Sequence, residues 1–270
     1  MKIAVQGIKG SYHHIVAESL YGSNHQILEC MSFDELFEQL RRDDVGLAVM
    51  AIENTIAGSI LPNYALLDES KVRILAEYYL PIHHRLMCYK GQKISDIKEV
   101  QSHPMALLQC RKFFRSYPHI KLIEAKDTAE VARQISQRKI KGIAAIGSDR
   151  ASQIYDLDIL FSDIQTVKDN FTRFFILSKD VGKISDSPTK ASIKFILNHE
   201  TGSLGEVLVE LSKNNVNLSK IQSLPIVDKP WQYSFFLDLI FSEFSDYERA
   251  LKAIESRVSS YKILGVYKMS

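Results

Sequence analysis

Three short stretches bring together residue types that suit a small anionic substrate. The first, KDNFTRFFIL (168–177), ends in an apolar run that reads as a buried strand, yet Asn170, Thr172 and Arg173 sit at its mouth. A threonine hydroxyl both donates and accepts hydrogen bonds. A guanidinium offers a planar fork that matches a carboxylate. An edge strand with a solvated arginine would carry the same letters. The second, GIKGSYHH (7–14), lies between a strand and a helix. Gly7 and Gly10 permit a tight turn, and Ser11 marks a helix N-terminus, where backbone N–H groups favour a carboxylate or phosphate. An ordinary capped βα turn reads the same way. The third, IENTIAGSI (52–60), follows a buried strand and places Glu53, Asn54, Thr55, Gly58 and Ser59 at its carboxyl end, where open α/β sheets bind ligands. A polar loop that caps the next helix is the alternative there.

Other chemistries have less support. There is no G-x-G-x-x-G, H-E-x-x-H, Walker A or G-x-S-x-G pattern. His13–His14 and His83–His84 are adjacent pairs, whose members point in different directions on a helix or strand. They read as packing or hydrogen-bonding groups, and no metal is expected.

The elements that must position these residues alternate. KIAVQ, GLAVMAI (46–52), VRILAEYYL, HRLMCYK and GIAAIG read as strands. SYHHIVAESLYG, SFDELFEQLRR, LPNYALLDES, SHPMALLQCRKFF, DTAEVARQI and SDRASQIY read as helices, with Ser32/Glu35 and Asp127/Glu130 as cap pairs and Pro62 in a first turn. Alternating β and α elements imply parallel sheets covered by helices. Two such units, about 1–78 and 79–155, predict two α/β lobes with a cleft between them. A polar stretch, 179–190, reads as a linker. The grammar then changes to βαββαβ over about 80 residues, a ferredoxin-like layout.

Composition narrows the class. The 270 residues are 46% hydrophobic and 24% charged, the profile of a globular domain or two. A net charge of +2 with no basic block argues against nucleic acid. Cys30, Cys88 and Cys110 are odd in number and far apart, which favours a reducing compartment, and the start MKIAVQG is neither a signal peptide nor a membrane span. A cytoplasmic protein with no membrane partner is expected.

Taken in order, these stretches resemble the prephenate dehydratase family. GIKGSYHH is similar to its Gly-x-x-Gly-Thr/Ser-Phe/Tyr-Ser segment, and AIENTIAGSI to its Glu-Asn-Ser-x-x-Gly-Ser-Val segment. SHPMALLQC resembles its Ser-His-Pro-x-Ala-Leu-x-Gln-Cys helix, DTAEVA and AAIGSDRASQIYDLDIL its next two segments, and NFTRFFIL its Asn-x-Thr-Arg-Phe signature. GSLGEVL and NLSKIQSLP resemble the ACT domain, a small-molecule sensor. The resemblance implies a two-lobed, type II periplasmic-binding-protein-like catalytic domain over 1–180, with lobe 1 about 1–78 plus 156–180 and lobe 2 about 79–155. A linker (181–190) and an ACT domain (191–270) follow. The last catalytic segment is expected to return to lobe 1.

The implied reaction is the decarboxylating dehydration of prephenate to phenylpyruvate, driven by aromatisation, so the resemblance implies that no cofactor is needed. Thr172 is then the catalytic group. Arg173 and the helix N-termini at Ser11, Ser102 and Ser148 would hold carboxylates. Phe174 would close the apolar side, and Asn54, Thr55 and Asn170, with Gly58 and Ser59 beside them, would orient the ring or the pyruvyl arm. L-phenylalanine is the implied effector, held by Gly202, Ser203, Leu204, Asn217, Leu218, Ser223 and Pro225 between the ACT domains of a homodimer or homotetramer. Two departures from the pattern matter: Thr55 stands for serine, and Glu-Ser-Arg-Pro reads Gln222-Ser223-Leu224-Pro225. No chorismate mutase segment is expected, since the sequence opens directly on the first strand. Arogenate dehydratase and a non-catalytic two-lobed sensor are the alternatives.

Overall fold

A computed structural model describes residues 2–42, 44–180, 186–198, 200–226, 229 and 231–270. The chain runs β1 (Lys2–Gln6), α1 (Tyr12–Tyr21), β2 (Gln26–Cys30), α2 (Phe33–Arg41), β3 (Leu47–Asn54), β4 (Gly58–Ser59), α3 (Leu61–Glu69) and β5 (Arg73–Pro81). It continues through β6 (Arg85–Cys88), β7 (Glu99–Ser102), α4 (Pro104–Phe114), β8 (Lys121–Glu124), α5 (Thr128–Arg138), β9 (Ile143–Gly147), α6 (Asp149–Ile154), β10 (Asp158–Phe161) and β11 (Phe171–Ser178). It ends with β12 (Lys190–Ile196), α7 (Ser203–Lys213), β13 (Asn217–Pro225), β14 (Tyr233–Ile240), α8 (Phe244–Glu255) and β15 (Ser260–Tyr267).

These strands form three sheets. The first has the order β2-β1-β3-β11-β5, with β4 folded back on β3. The second has the order β10-β6-β9-β7-β8. β11 therefore lies in the first sheet, whereas β10, which the expected first lobe (1–78 plus 156–180) included, joins the second through β6. The second sheet is mixed rather than parallel: β9 pairs parallel with β7 but antiparallel with β6, and β10 is antiparallel to β6. β3 is buried on both faces for six of its eight residues, which is why its letters read as one apolar run.

Packing divides the chain into two compact units, Met1–Ile60 with Tyr78–Phe174, and Leu61–Glu77 with Phe175–Ser270. The expected boundary near residue 180 is a different division, and residues 181–185 of the expected linker lie outside the described residues.

In the second unit, β12 to β15 and α7, α8 form the βαββαβ layout, with the antiparallel order β13-β14-β12-β15. Its core joins Ile193, Phe195, Val207, Leu211, Leu237, Leu239, Tyr247 and Ile254. Residues 61–77 are fastened to this sheet at four points. The three N–H donors of Lys262 meet the carbonyls of Leu67, Asp68 and Ser70, at 3.2, 2.6 and 2.7 Å, which caps the end of α3. Lys194 pairs with Asp68 at 2.6 Å. Lys190, buried, reaches both oxygens of buried Glu77 at 3.0 and 2.8 Å. Gly265 passes so near β5 that a Cβ there would lie 2.2 Å from the carbonyl oxygen of Ile74.

Candidate active site

A cleft of about 420 Å³ opens in the first unit. Its walls come from both of that unit's lobes: Gln6, the start of α1, Phe33, the end of β3 and β11 on one side, and the starts of α4 and α5 on the other. The loop 7–10 fits between the lobes because it has no side chain at two positions. Gly7 (φ +87°) would place a Cβ 2.8 Å from Asp127 Oδ2, and Gly10 (φ +90°) one 2.9 Å from Ala151 Cα. Ser11 then caps α1, accepting from the His14 N–H at 3.2 Å, and faces the cleft.

Thr172 and Phe174 share one face of β11 and line the cleft. The hydrogen bonds around Thr172 fix their own direction. The Asn54 carbonyl oxygen accepts from the backbone N–H groups of Ile56 and Ala57, at 3.0 and 2.9 Å. Backbone N–H groups only donate, so Asn54 must present its nitrogen elsewhere. That nitrogen donates to Thr172 Oγ1 at 3.0 Å and Asn170 Oδ1 at 2.7 Å, with the Phe171 carbonyl also 3.0 Å away. The Asn170 amide nitrogen then donates to Gln109 Oε1 at 3.0 Å. The same oxygen accepts from His84 Nε2 at 2.8 Å, which leaves His84 Nδ1 as the lone pair facing the Tyr12 hydroxyl at 2.9 Å. Two consequences follow. Thr172 accepts from Asn54, so its own proton is free for a ligand. Gln109, which lines the cleft, makes no hydrogen bond through Nε2 among the described residues, so that donor is free as well.

Burial keeps the histidines neutral, lowering the pKa of His84 to about 4 and that of His13 to about 3. Burial also raises the Tyr12 hydroxyl and the Asp127 carboxyl above their ordinary values. Asp127 spends one oxygen on the Glu130 N–H at 2.8 Å, as N-cap of α5. For anions the cleft offers the N-termini of α1 and α4 and the exposed Lys126 beside Asp127.

The sequence candidates therefore separate. Ser11, Asn54, Thr172 and Phe174 line the cleft. Asn170 lies behind them, fully buried, and holds Asn54 and Gln109 in place. Thr55 ties β3 to β11 through Phe171 N–H to Oγ1 at 2.9 Å and its own N–H to the Phe171 carbonyl at 2.9 Å. Gly58 and Ser59 form β4 and do not line the cleft. Ser102 ends β7 and donates to the Ile146 carbonyl at 2.7 Å, while His103 caps α4 in its place. Ser148 caps α6 and donates to the Gly10 carbonyl at 2.6 Å, so it braces the loop rather than a ligand. Arg173 lies on the opposite face of β11 from Thr172. It is buried, with its guanidinium 5.9 Å over the Tyr79 ring. Strand alternation places it there, and the sequence reading, which grouped it with Thr172, overlooked the period of two. It also passed over Gln109, Tyr12, His13, His84 and Lys126; the polar Gln109 within an apolar helix was the available signal.

In the second unit, a cavity of about 90 Å³ is lined by Ser203 and Leu204 at the start of α7 together with Asn198, Trp231, Gln232 and Tyr233. Gly202 is the N-cap of α7, with φ +89°. Asn217, Leu218, Ser223 and Pro225 lie along the edge strand β13, outside that cavity, and Asn217 turns its carbonyl oxygen to the Leu218 N–H at 2.9 Å.

The prephenate dehydratase family model matches residues 3–181. The bifunctional chorismate mutase/prephenate dehydratase of Escherichia coli (strain K12) is 34% identical over 98% of this chain and 70% of its own length. The chain belongs to the prephenate dehydratase family. Arabidopsis thaliana arogenate dehydratase/prephenate dehydratase 2 is 34% identical over 99% of this chain and 72% of its own. Among solved structures, one described as GqqA, a novel type of quorum-quenching acylase, superposes with a TM-score of 0.90 at 25% identity, covering 100% of this chain and 98% of its own. Prephenate dehydratase from Arthrobacter aurescens, in complex with L-Phe, superposes with a TM-score of 0.88 at 23% identity, covering 99% and 90% of the two chains.

Proposed function

We propose that the protein converts prephenate to phenylpyruvate in the cleft of the first unit, with Thr172 as the group that meets the departing hydroxyl. The carrying observation is the direction of the Asn54–Thr172 hydrogen bond, which leaves the threonine proton for the ligand. In the reaction the electron pair of the ring C–CO2⁻ bond enters the ring, CO2 departs, and the ring C–O bond breaks as the ring becomes aromatic. Hydroxide leaves, gains a proton and becomes water. A hydroxyl is a weak bulk acid, and its value lies in a fixed position in a site that excludes water. The starts of α1 and α4, Lys126 and the Gln109 amide supply donors for the two carboxylates.

The dual name of the Arabidopsis relative favours arogenate as the second substrate to test. Purified protein is expected to release phenylpyruvate from prephenate. Phenylalanine formed from arogenate at a higher kcat/KM than phenylpyruvate from prephenate would reverse the assignment.

The same proposal extends to regulation. Residues 191–270 act as an ACT domain that binds L-phenylalanine near Ser203 and Leu204, in an assembly of at least two chains paired through β13. The glycine N-cap of α7 and the cavity beside it support this. Calorimetry with phenylalanine is expected to show saturable heat and inhibition. No heat and no inhibition at millimolar phenylalanine would show that the Gln222 and Leu224 departures mark a sensor for something else.

A further inference from the structure

In the family segment Gly-x-x-Gly-Thr/Ser-Phe/Tyr-Ser, the last residue is serine, and this chain has His13 there. The imidazole lines the same cleft as Thr172 and is nine-tenths buried. Phe174 meets it edge-on at 5.0 Å and 89°, and Phe33 lies against it at 5.6 Å, so the ring is held between two aromatic side chains of one cleft wall. Its Nε2 sits 3.1 Å from the backbone N–H of Ala51. A backbone N–H can only donate, so Nε2 carries the lone pair and the single proton of the neutral ring is on Nδ1. Nδ1 makes no hydrogen bond among the described residues.

We propose that His13 is a specificity-determining residue that contacts substrate, its Nδ1–H donating to an oxygen of the bound dianion. This rests on the cleft being a prephenate-type site. A serine at this position can turn its hydroxyl to donate or accept. The clamped histidine can only donate, and the Ala51 N–H holds it in that state. Burial reinforces this, because the ring stays uncharged down to a pH of about 3. The ligand group facing it must therefore be an acceptor, a carboxylate or carbonyl oxygen, and an ammonium or a hydroxyl proton placed there would be rejected.

Two substitutions separate the two ring nitrogens. Asparagine carries an amide N–H about as far from the backbone as imidazole Nδ1, and glutamine carries a carbonyl oxygen about as far out as Nε2. His13→Gln keeps the partner for Ala51 and loses the donor to substrate. His13→Asn does the reverse. With wild-type turnover of prephenate as the reference, His13→Gln is expected to lower kcat/KM tenfold or more with the smaller change in Tm. His13→Asn is expected to keep at least five times the kcat/KM of His13→Gln, with the larger fall in Tm. Equal losses in both variants, no loss in either, or the opposite order would mean that the ring is only structural and would overturn the proposal. A wild-type protein that turns over neither prephenate nor arogenate would instead defeat the functional assignment, and His13's role with it.

Discussion

Asn54 points its amide nitrogen, not its oxygen, at the hydroxyl of Thr172, 3.0 Å away. Asn54→Asp tests that relationship. The aspartate keeps an acceptor for the Ile56 and Ala57 N–H groups, but it accepts from Thr172 where asparagine donates. It thus draws the threonine proton away from substrate and adds an anion to a site for a dianion. The kcat is expected to fall roughly 100-fold or more, and Tm to fall with it, because the carboxylate also faces Asn170 Oδ1 and the Phe171 carbonyl, which accept from asparagine. A kcat within threefold of wild type would remove Asn54 from any role in orienting the hydroxyl.

Thr172→Val preserves shape and deletes the donor. Loss of one positioned donor in a water-poor site typically costs about 3–4 kcal/mol of barrier, so kcat is expected to drop by at least about 100-fold while the protein stays folded. Thr172→Ser, which restores the hydroxyl, should recover most of the rate. Steady-state kinetics on both variants, with far-UV circular dichroism, decide the matter.

Arg173 is expected to behave as a structural residue. Its guanidinium is buried on the face of β11 opposite the cleft. Arg173→Met should lower stability by about 2 kcal/mol, the scale of a desolvated cation–π contact such as that with Tyr79. The kcat/KM of the protein that remains folded should stay within threefold of wild type. A KM for prephenate raised tenfold at unchanged Tm would return Arg173 to the substrate.

Acid should unfold the protein through its buried imidazoles. His13 and His84 have folded pKa values pushed down to about 3 and about 4 by burial, against an ordinary value near 6.5. Between those limits the unfolded chain binds more protons than the folded one. Stability is therefore complete above about pH 6.5 and declines as pH falls towards 4, by about 1.4 kcal/mol per pH unit for each ring. Urea titrations from pH 7.5 to 4.5 should show this slope, and His84→Gln should reduce it. A midpoint independent of pH across that range would contradict the neutral assignment of both rings.

The core elements were legible because each reports a short-range rule. β3 is an unbroken apolar run, α2 and α5 announce themselves by Ser32/Glu35 and Asp127/Glu130, and the βαββαβ order follows from simple counting. The strands β2, β7, β8 and β10 escaped, being four or five residues long and partly exposed. At the site, Thr172 and Asn54 could be read because they sit in motifs. Gln109 also sits in a quoted segment, but its role, like that of His84, lies in a hydrogen-bond chain whose members are 61 and 25 residues apart. Arg173 shows the opposite error: adjacency in sequence suggested a shared role, and a strand sends neighbours to opposite faces.

Lys190 and Glu77 supply a sharper test of the second unit. Both side chains are almost wholly inaccessible, and the ammonium meets both carboxylate oxygens. Lys190→Met strands a buried carboxylate and is expected to cost about 3–5 kcal/mol. The double change with Glu77→Leu should recover much of that loss. Chemical denaturation of the single and double variants gives the coupling directly, and additive losses would deny the pairing.

The fastening of residues 61–77 by Lys262, Lys194, Lys190 and Gly265 means that this protein cannot be divided by one cut. A chain ending at residue 180 would contain all but the last residue of the family segment, yet it would strip α3 of its cap and leave Asp68 and Glu77 without their ammonium partners. Exchanging the C-terminal module alone would leave a helix and half a strand, more than a hundred residues upstream, without their partners. Amide protons of 66–77 and of 190–196 should accordingly exchange with solvent together, as one cooperative block.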